Sequence, residues 1–214
     1  HTFSSTELAK CNIPVVAIER EAEHICSVDT DNYMGGLQAT SLLIRNHCDI
    51  LIHINVPVPE NVPAHNRITA FEDTCQKYHV PYELMLGDLG STYETTFDRI
   101  KETFETIEKK YPDRKKGIFF ANDTYANIFL NLIIQKYGHM PEQYRLVGFD
   151  NSPIENEAIV PITTIGQQID KIAETALELL VSQMDEMKKR KPSPLKTPVH
   201  KQITPVLIRR NTTD

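Results

Sequence analysis

Short runs of apolar and β-branched residues alternate along this chain with stretches spaced in threes and fours like a helix. That alternation restricts the fold more than any other feature. The runs are Pro14–Ile18 (PVVAI), Ile50–Ile54, Glu83–Leu86, Gly117–Ala121, Arg145–Phe149 and Val206–Ile208. Runs this brief and this apolar read as strands covered on both faces, the arrangement of a parallel sheet between two layers of helices. Five helices are expected. The clearest spans 169–187, with Ile169, Ile172, Ala173, Ala176, Leu177, Leu180, Met184 and Met187 on one face. Three more are marked by Phe97 to Tyr111, by Tyr125 to Ile133 with Gly138 placed as its C-cap, and by Ile68 to Tyr78. The fifth begins at Asp31 or Asn32, both good N-caps, and runs to about Asn46.

Two segments interrupt the pattern. Residues 56–64 (VPVPENVPA) hold three prolines and read as a surface loop, because proline breaks both helices and central strands. Residues 188–198 form a basic connector punctuated by proline, whose lysines read as a solvated helix end favoured by the helix dipole.

Composition excludes several functions. Lys and Arg number 23 against 29 Asp and Glu, a net charge of -6, so any grip on DNA falls to another segment. The four cysteines (Cys11, Cys26, Cys48, Cys75) have no C-x-x-C spacing and make no disulfide framework, so a reducing, cytoplasmic setting is expected. The histidines are scattered, and neither a metal nor another cofactor is expected. The longest apolar stretches, 118–121 and 132–134, fall far short of the roughly 20 residues of a membrane span, so no membrane partner is expected. The opening HTFSSTELAK lacks the pattern of a signal peptide, and its start at His1 implies a true start elsewhere, which leaves secretion open at this end. Nucleotide-cradling glycine motifs and the G-x-S-x-G elbow are missing, and no acid–base constellation stands out, so catalysis is not expected.

What remains is polar side chains directly after the apolar runs: Glu19 and Arg20, Asn55, Asp88, Asn122 and Asp123, and Asp150 and Asn151. Open parallel sheets bind ligands outside the carboxyl ends of their strands. Carboxylates and amides suit hydroxyl groups, whereas a phosphate site would want Arg or Lys in their place, so a neutral polyhydroxylated ligand fits best. Helix capping competes with ligand contact at Asp123 and Asn151, and position leaves both readings open. At Asp150 ligand contact is favoured. Arg67 opens a helix, where a cation opposes the positive helix end; it is either a surface charge or a donor fork aimed into a cleft.

Seven phrases carry a family resemblance in register: IPVVAIER (13–20), VDTDNYMGG (28–36), R-x-x-A-F (67–71), IFFANDTYA (118–126), RLVGFDNSP (145–153), PITTIGQ (161–167) and VLIRRNTTD (206–214). Together they resemble the effector-binding domain of LacI/GalR-family transcription regulators. The resemblance implies an α/β, periplasmic-binding-protein-like fold: two Rossmann-like lobes with parallel sheets, joined by three chain crossings and closing on a sugar or sugar derivative. It implies a homodimer, and operator DNA as a partner through an N-terminal helix-turn-helix absent from this chain. Part of the first lobe is also expected to be absent, leaving 1–30 and 163–190 as a partial N-terminal lobe and 31–162 with 199–214 as the C-terminal lobe. By matching position, Arg67 clamps ligand hydroxyls or a carboxylate, Asp150 binds a hydroxyl pair and Asn122 bonds nearby. Glu19 stands where the family usually has Asp, Thr69 lies just past the arginine and Gln167 sits at a lobe crossing. Leu89 occupies the place of an aromatic that stacks on the ligand ring, and Ala70 replaces a usual glycine. A sugar-binding protein serving a transporter is the alternative, and an enzyme on a doubly wound sheet the third reading.

Overall fold

The computed structural model describes residues 5–11, 13–20, 22–189 and 197–214. In chain order the elements are α1 (Ser5–Lys10), β1 (Val16–Ile18), β2 (Cys26–Thr30), α2 (Asn32–Arg45), β3 (Ile50–Asn55), α3 (Asn66–Lys77), β4 (Tyr82–Leu86), α4 (Tyr93–Lys110) and β5 (Lys116–Phe120). They continue with α5 (Asp123–Tyr137), β6 (Tyr144–Asp150), α6 (Ile154–Glu157), β7 (Thr163–Gly166), α7 (Ile169–Met187), β8 (His200–Ile203) and β9 (Val206–Ile208). The expected parallel-sheet architecture is present, split into two lobes. All six expected strands and five expected helices are found. Most of the basic connector lies outside the described residues.

The larger sheet has the order β4-β3-β5-β6-β7-β9, parallel except for β9, which runs antiparallel to β7. Every residue of β3 and β5 is buried. Their alternate side chains supply two separate cores. Ile50, Ile52, Ile54, Ile118 and Phe120 pack against α4 and α5 through Ile100, Phe104 and Phe129. Leu51, Phe119, Val147 and Phe149 pack against α2 and α3 through Leu42, Leu43, Phe71 and Cys75. Helix starts follow local chemistry: Asp31 accepts from the Met34 amide at 2.9 Å, and Asn122 accepts from the Tyr125 amide at 3.0 Å. Gly138 ends α5 in the left-handed conformation at φ 74°.

The smaller sheet, β1-β2-β8, is parallel and three strands wide among the described residues. Helix α7 packs on it through Ile172 and Ala176, against Val28 and Ile203. Of the apolar face read from the sequence, Leu180 and Met187 are half-buried and Ile169, Leu177 and Met184 are exposed, as is Val181 beside them. Two lobe boundaries need correcting. The β7 strand at the head of the 163–190 segment belongs to the larger sheet, paired with β6, and β8 within 199–214 belongs to the smaller sheet, paired with β2.

The chain passes between lobes after β2, after β7 and after β8. These crossings are bonded to one another. The Asp31 amide donates to the Ile203 carbonyl at 2.9 Å, and Gln168 Nε2 donates to the Thr204 carbonyl at 2.6 Å. The Thr30 hydroxyl lies 2.6 Å from Gln167 Oε1.

Two glycines let α2 approach its neighbours. A β-carbon on Gly35 would stand 2.8 Å from the Phe149 ring, and one on Gly36 would stand 2.8 Å from the Arg67 carbonyl and 2.9 Å from the Ala70 β-carbon. Gly36→Ala therefore destabilises the chain, even though alanine favours helix by about 1 kcal/mol. Overpacking of roughly 1–3 kcal/mol exceeds that gain, and urea denaturation will read the difference. At the centre of the larger sheet, His53 is fully buried, with Nδ1 2.9 Å from the Phe119 carbonyl and its ring stacked on Phe119. Burial pushes its pKa down to about 4 from 6.5. Its neutral form thus contributes stability that is full above pH 6.5 and is lost as pH falls through 4. Denaturation from pH 7 to pH 4 will show a flatter profile for His53→Gln than for the native chain, the difference reaching at most about 3 kcal/mol.

Candidate functional site

Arg67 sits in the first turn of α3, after the proline-rich loop. Its Nε donates to Asn32 Oδ1 at 2.7 Å, and its Nη1 donates to the Ala121 carbonyl at 2.9 Å. Its Cζ lies 3.5 Å from the centroid of the Phe149 ring. This seat decides between the two readings left open by position: Arg67 is no free surface charge. Burial pulls its pKa down to about 10, against the opposing pull of Asp150 and Glu19. The guanidinium therefore stays charged at neutral pH.

Asp150 ends β6 and Glu19 follows β1, so the two carboxylates come from different lobes. Both have left-handed backbones, with φ 108° at Asp150 and 52° at Glu19, and Asn151 follows at 57°. Positive φ in non-glycine residues is strain that surrounding contacts must hold. Around Asp150 those contacts come from buried Asp123, which accepts from the Ser152 amide at 2.7 Å and from the Thr164 hydroxyl at 2.8 Å. Arg210 adds a bond to Asn151 Oδ1 at 2.8 Å. Burial raises the pKa of the Asp150 carboxyl, while Arg67 and the Gln167 amide pull it back.

Gln167 joins the lobes. Its Nε2 donates to Asp150 Oδ1 at 2.6 Å, and its Oε1 faces the Thr30 hydroxyl. An ionised carboxylate only accepts, so the amide nitrogen must point to Asp150 and the Thr30 hydroxyl must donate to Gln167. Glu19 Oε1 also lies 2.7 Å from that hydroxyl and accepts from the Thr30 amide at 2.5 Å. With a single hydroxyl proton already directed at Gln167, the amide is the donor that holds Glu19.

Of the residues singled out in the sequence, Arg67, Asp150, Glu19 and Gln167 are thus brought together. Asn122 caps α5 directly beside Ala121, whose carbonyl holds Arg67. Thr69 is half-buried on α3, two residues from Arg67, a spacing that does not share a helix face. Leu89 does not join the group. It is 4% exposed and turns into the core with Ile54 and Phe104, because an apolar side chain after the Gly87–Asp88 turn gains more by burial there. Sequence reasoning missed Thr30, Asn32 and Phe149, whose only local signal is position at a strand or helix end. It also missed Ser152, whose buried hydroxyl oxygen has no partner among the described residues. A cavity of about 170 Å³ in the smaller lobe, lined by Leu8, Ile13, Val15 and Ile25, contains none of these polar groups. Among the described residues no cluster of His, Cys, Asp and Glu is placed to hold a metal ion. No described helix is long and apolar enough to cross a membrane.

Fold and site define a two-lobed binding domain, in which polar groups at strand carboxyl ends meet around a cation held by neutral partners. Residues 39–213 match the family of periplasmic binding protein-like domains, and the chain belongs to that family. It is 26% identical over 208 residues to the ribose operon repressor of Halalkalibacterium halodurans, covering 96% of this chain and 58% of that protein. It is 25% identical over 186 residues to the sucrose operon repressor of Streptococcus mutans, covering 86% of this chain and 55% of that one. The chain therefore spans little more than half the length of these curated relatives. It matches a periplasmic binding protein/LacI transcriptional regulator from Alkaliphilus metalliredigens, complexed with D-xylulofuranose, with a TM-score of 0.76 at 26% identity. That match covers 97% of this chain and 73% of that one. A LacI family transcriptional regulator from Enterococcus faecalis with bound ribose matches with a TM-score of 0.71 at 25% identity, over 93% and 68%. The resemblance to LacI/GalR effector-binding domains drawn from the seven phrases agrees with these relatives.

Arg67→Ala strands the Asn32 and Ala121 oxygens and removes the stack on Phe149. It will cost the ligand-free chain about 1–3 kcal/mol in urea denaturation, where a true surface charge would cost within about 0.5 kcal/mol.

Proposed function

We propose that this chain is the effector-sensing domain of a LacI-type transcription regulator, binding a neutral, unphosphorylated sugar between its lobes and catalysing nothing. The observation that carries this reading is the convergence of Arg67, Asp150, Gln167, Thr30 and Glu19, drawn from both lobes, around one polar crossing. Two carboxylates and one guanidinium offer acceptors and donors to hydroxyl groups while leaving net negative charge, which disfavours a phosphate dianion. Asn122 flanks the site beside Ala121 as a further hydroxyl contact; Thr69, off the helix face of Arg67, is left out of it. A sugar that binds the closed arrangement of the lobes more tightly than the open one shifts their balance, and that shift is the signal. Operator DNA is contacted by a segment beyond these residues, the working unit is a homodimer and the setting is the cytoplasm. The repressor identity of the curated relatives favours this reading over a transport component.

Thermal-shift assays with D-ribose, D-xylulose, sucrose and ribose 5-phosphate test it. At least one neutral sugar is expected to raise Tm and the phosphate ester to have no effect. Asp150→Ala will weaken the responding sugar by about 5- to 150-fold, as expected when a buried hydroxyl loses its acceptor. Stabilisation by the phosphate ester alone, or by none of the four, would overturn the reading.

A further inference from the structure

The guanidinium of Arg67 is unusual in its partners. Among the described residues no Asp or Glu forms an ion pair with it. Its contacts are an amide oxygen, a backbone carbonyl and an aromatic face, all neutral. The nearby carboxylates bond elsewhere, Asp150 to Gln167 and Glu19 to Thr30. A half-buried cation with no contacting counter-charge carries a desolvation cost, and such an arrangement persists where the charge is kept for something that arrives later.

We infer that Asn32 and Phe149 are positioning residues for Arg67, fixing its guanidinium so that the N–H donors left over form one rigid fork for the ligand. The inference rests on the ligand-binding reading above. Three contacts of different kinds remove the freedom of a long side chain. The Asn32 oxygen fixes the direction of Nε–H, the Ala121 carbonyl fixes Nη1, and the Phe149 ring fixes the plane. Two of the five guanidinium donors are used in this way, leaving three. Both partners are themselves immobilised. Asn32 is 1% exposed and its Nδ2 donates to the Thr30 carbonyl at 3.1 Å. Phe149 is fully buried, pressed by Gly35 on one side and next to Phe119, which stacks on His53. A fork ordered before binding loses less rotamer freedom when ligand arrives, and affinity rises accordingly.

The test uses the full chain with D-ribose as probe, Asn32→Ala and Phe149→Leu as variants, and each variant repeated in an Arg67→Ala background. Calorimetry is expected to show about a tenfold loss of ribose affinity for each single variant. In the Arg67→Ala background the same changes are expected to alter affinity less than about twofold, because they act only through the arginine. A merely structural role would give equal losses in both backgrounds, and that result would overturn the inference, as would single variants that bind like the native chain. A second readout does not need a sugar. Proton–nitrogen NMR of the native chain is expected to show a slowly exchanging Arg67 Nε–H signal, identified by its disappearance in Arg67→Lys. Its loss in Asn32→Ala supports the clamp, and its absence from the native spectrum overturns it even if the variants fail to fold. Failure of the native chain to bind any neutral sugar, with that signal present, sinks the ligand reading and leaves the clamp standing.

Discussion

The close approach made possible by two adjacent glycines sets the position of the groups that seat Arg67. With no side chain at Gly35, α2 lies against the Phe149 ring, and with none at Gly36 it touches the backbone of Arg67. The same helix contributes Asn32 from its first turn and is started by the Asp31 cap. One short stretch, 31–36, therefore brings an aromatic ring, an amide and a guanidinium into register, although those groups lie far apart in sequence. Ala70 is accommodated because the facing residue is Gly36.

The electrostatic design follows from that packing. Arg67 is half-buried without a carboxylate in contact, and Asp150 and Glu19, the carboxylates whose charges act on it, are engaged by hydrogen-bond donors of their own. Charge is thus separated around the crossing instead of cancelled in contacting pairs. Coulomb attraction at such range is strong when water is displaced and weak when it is not. A guest that expels water and spans the two signs gains from both effects.

How much of this was legible in the sequence follows physical lines. The continuous apolar runs of β3, β5 and β6 announced themselves, because strands buried on both faces need no polar residues. The β2, β7 and β8 segments (CSVDT, TTIG and HKQI) passed unread: each mixes polar with apolar residues over four or five positions, a pattern shared with loops. Caps at Asp31 and Gly138 are readable because capping is local, while the capping weighed at Asp123 falls one residue earlier, on Asn122. The seat of Arg67 is not readable, since its partners come from α2, β6 and the end of β5. Leu89 misled for the same reason; only the third dimension reveals that it faces the core. The tail from 199 to 214 divides between two sheets, β8 in the smaller and β9 in the larger, and no local signal marks the division.

The three crossings between lobes are stitched side by side, through Asp31 to Ile203, Gln168 to Thr204 and Thr30 to Gln167. Bodies tethered at a single point can swivel in any direction, whereas bodies joined along a bonded row of tethers behave like a door on its jamb. Swinging about the row stays easy; sliding and screwing do not. The relation between the two lobes is then described by one angle, a single mechanical coordinate.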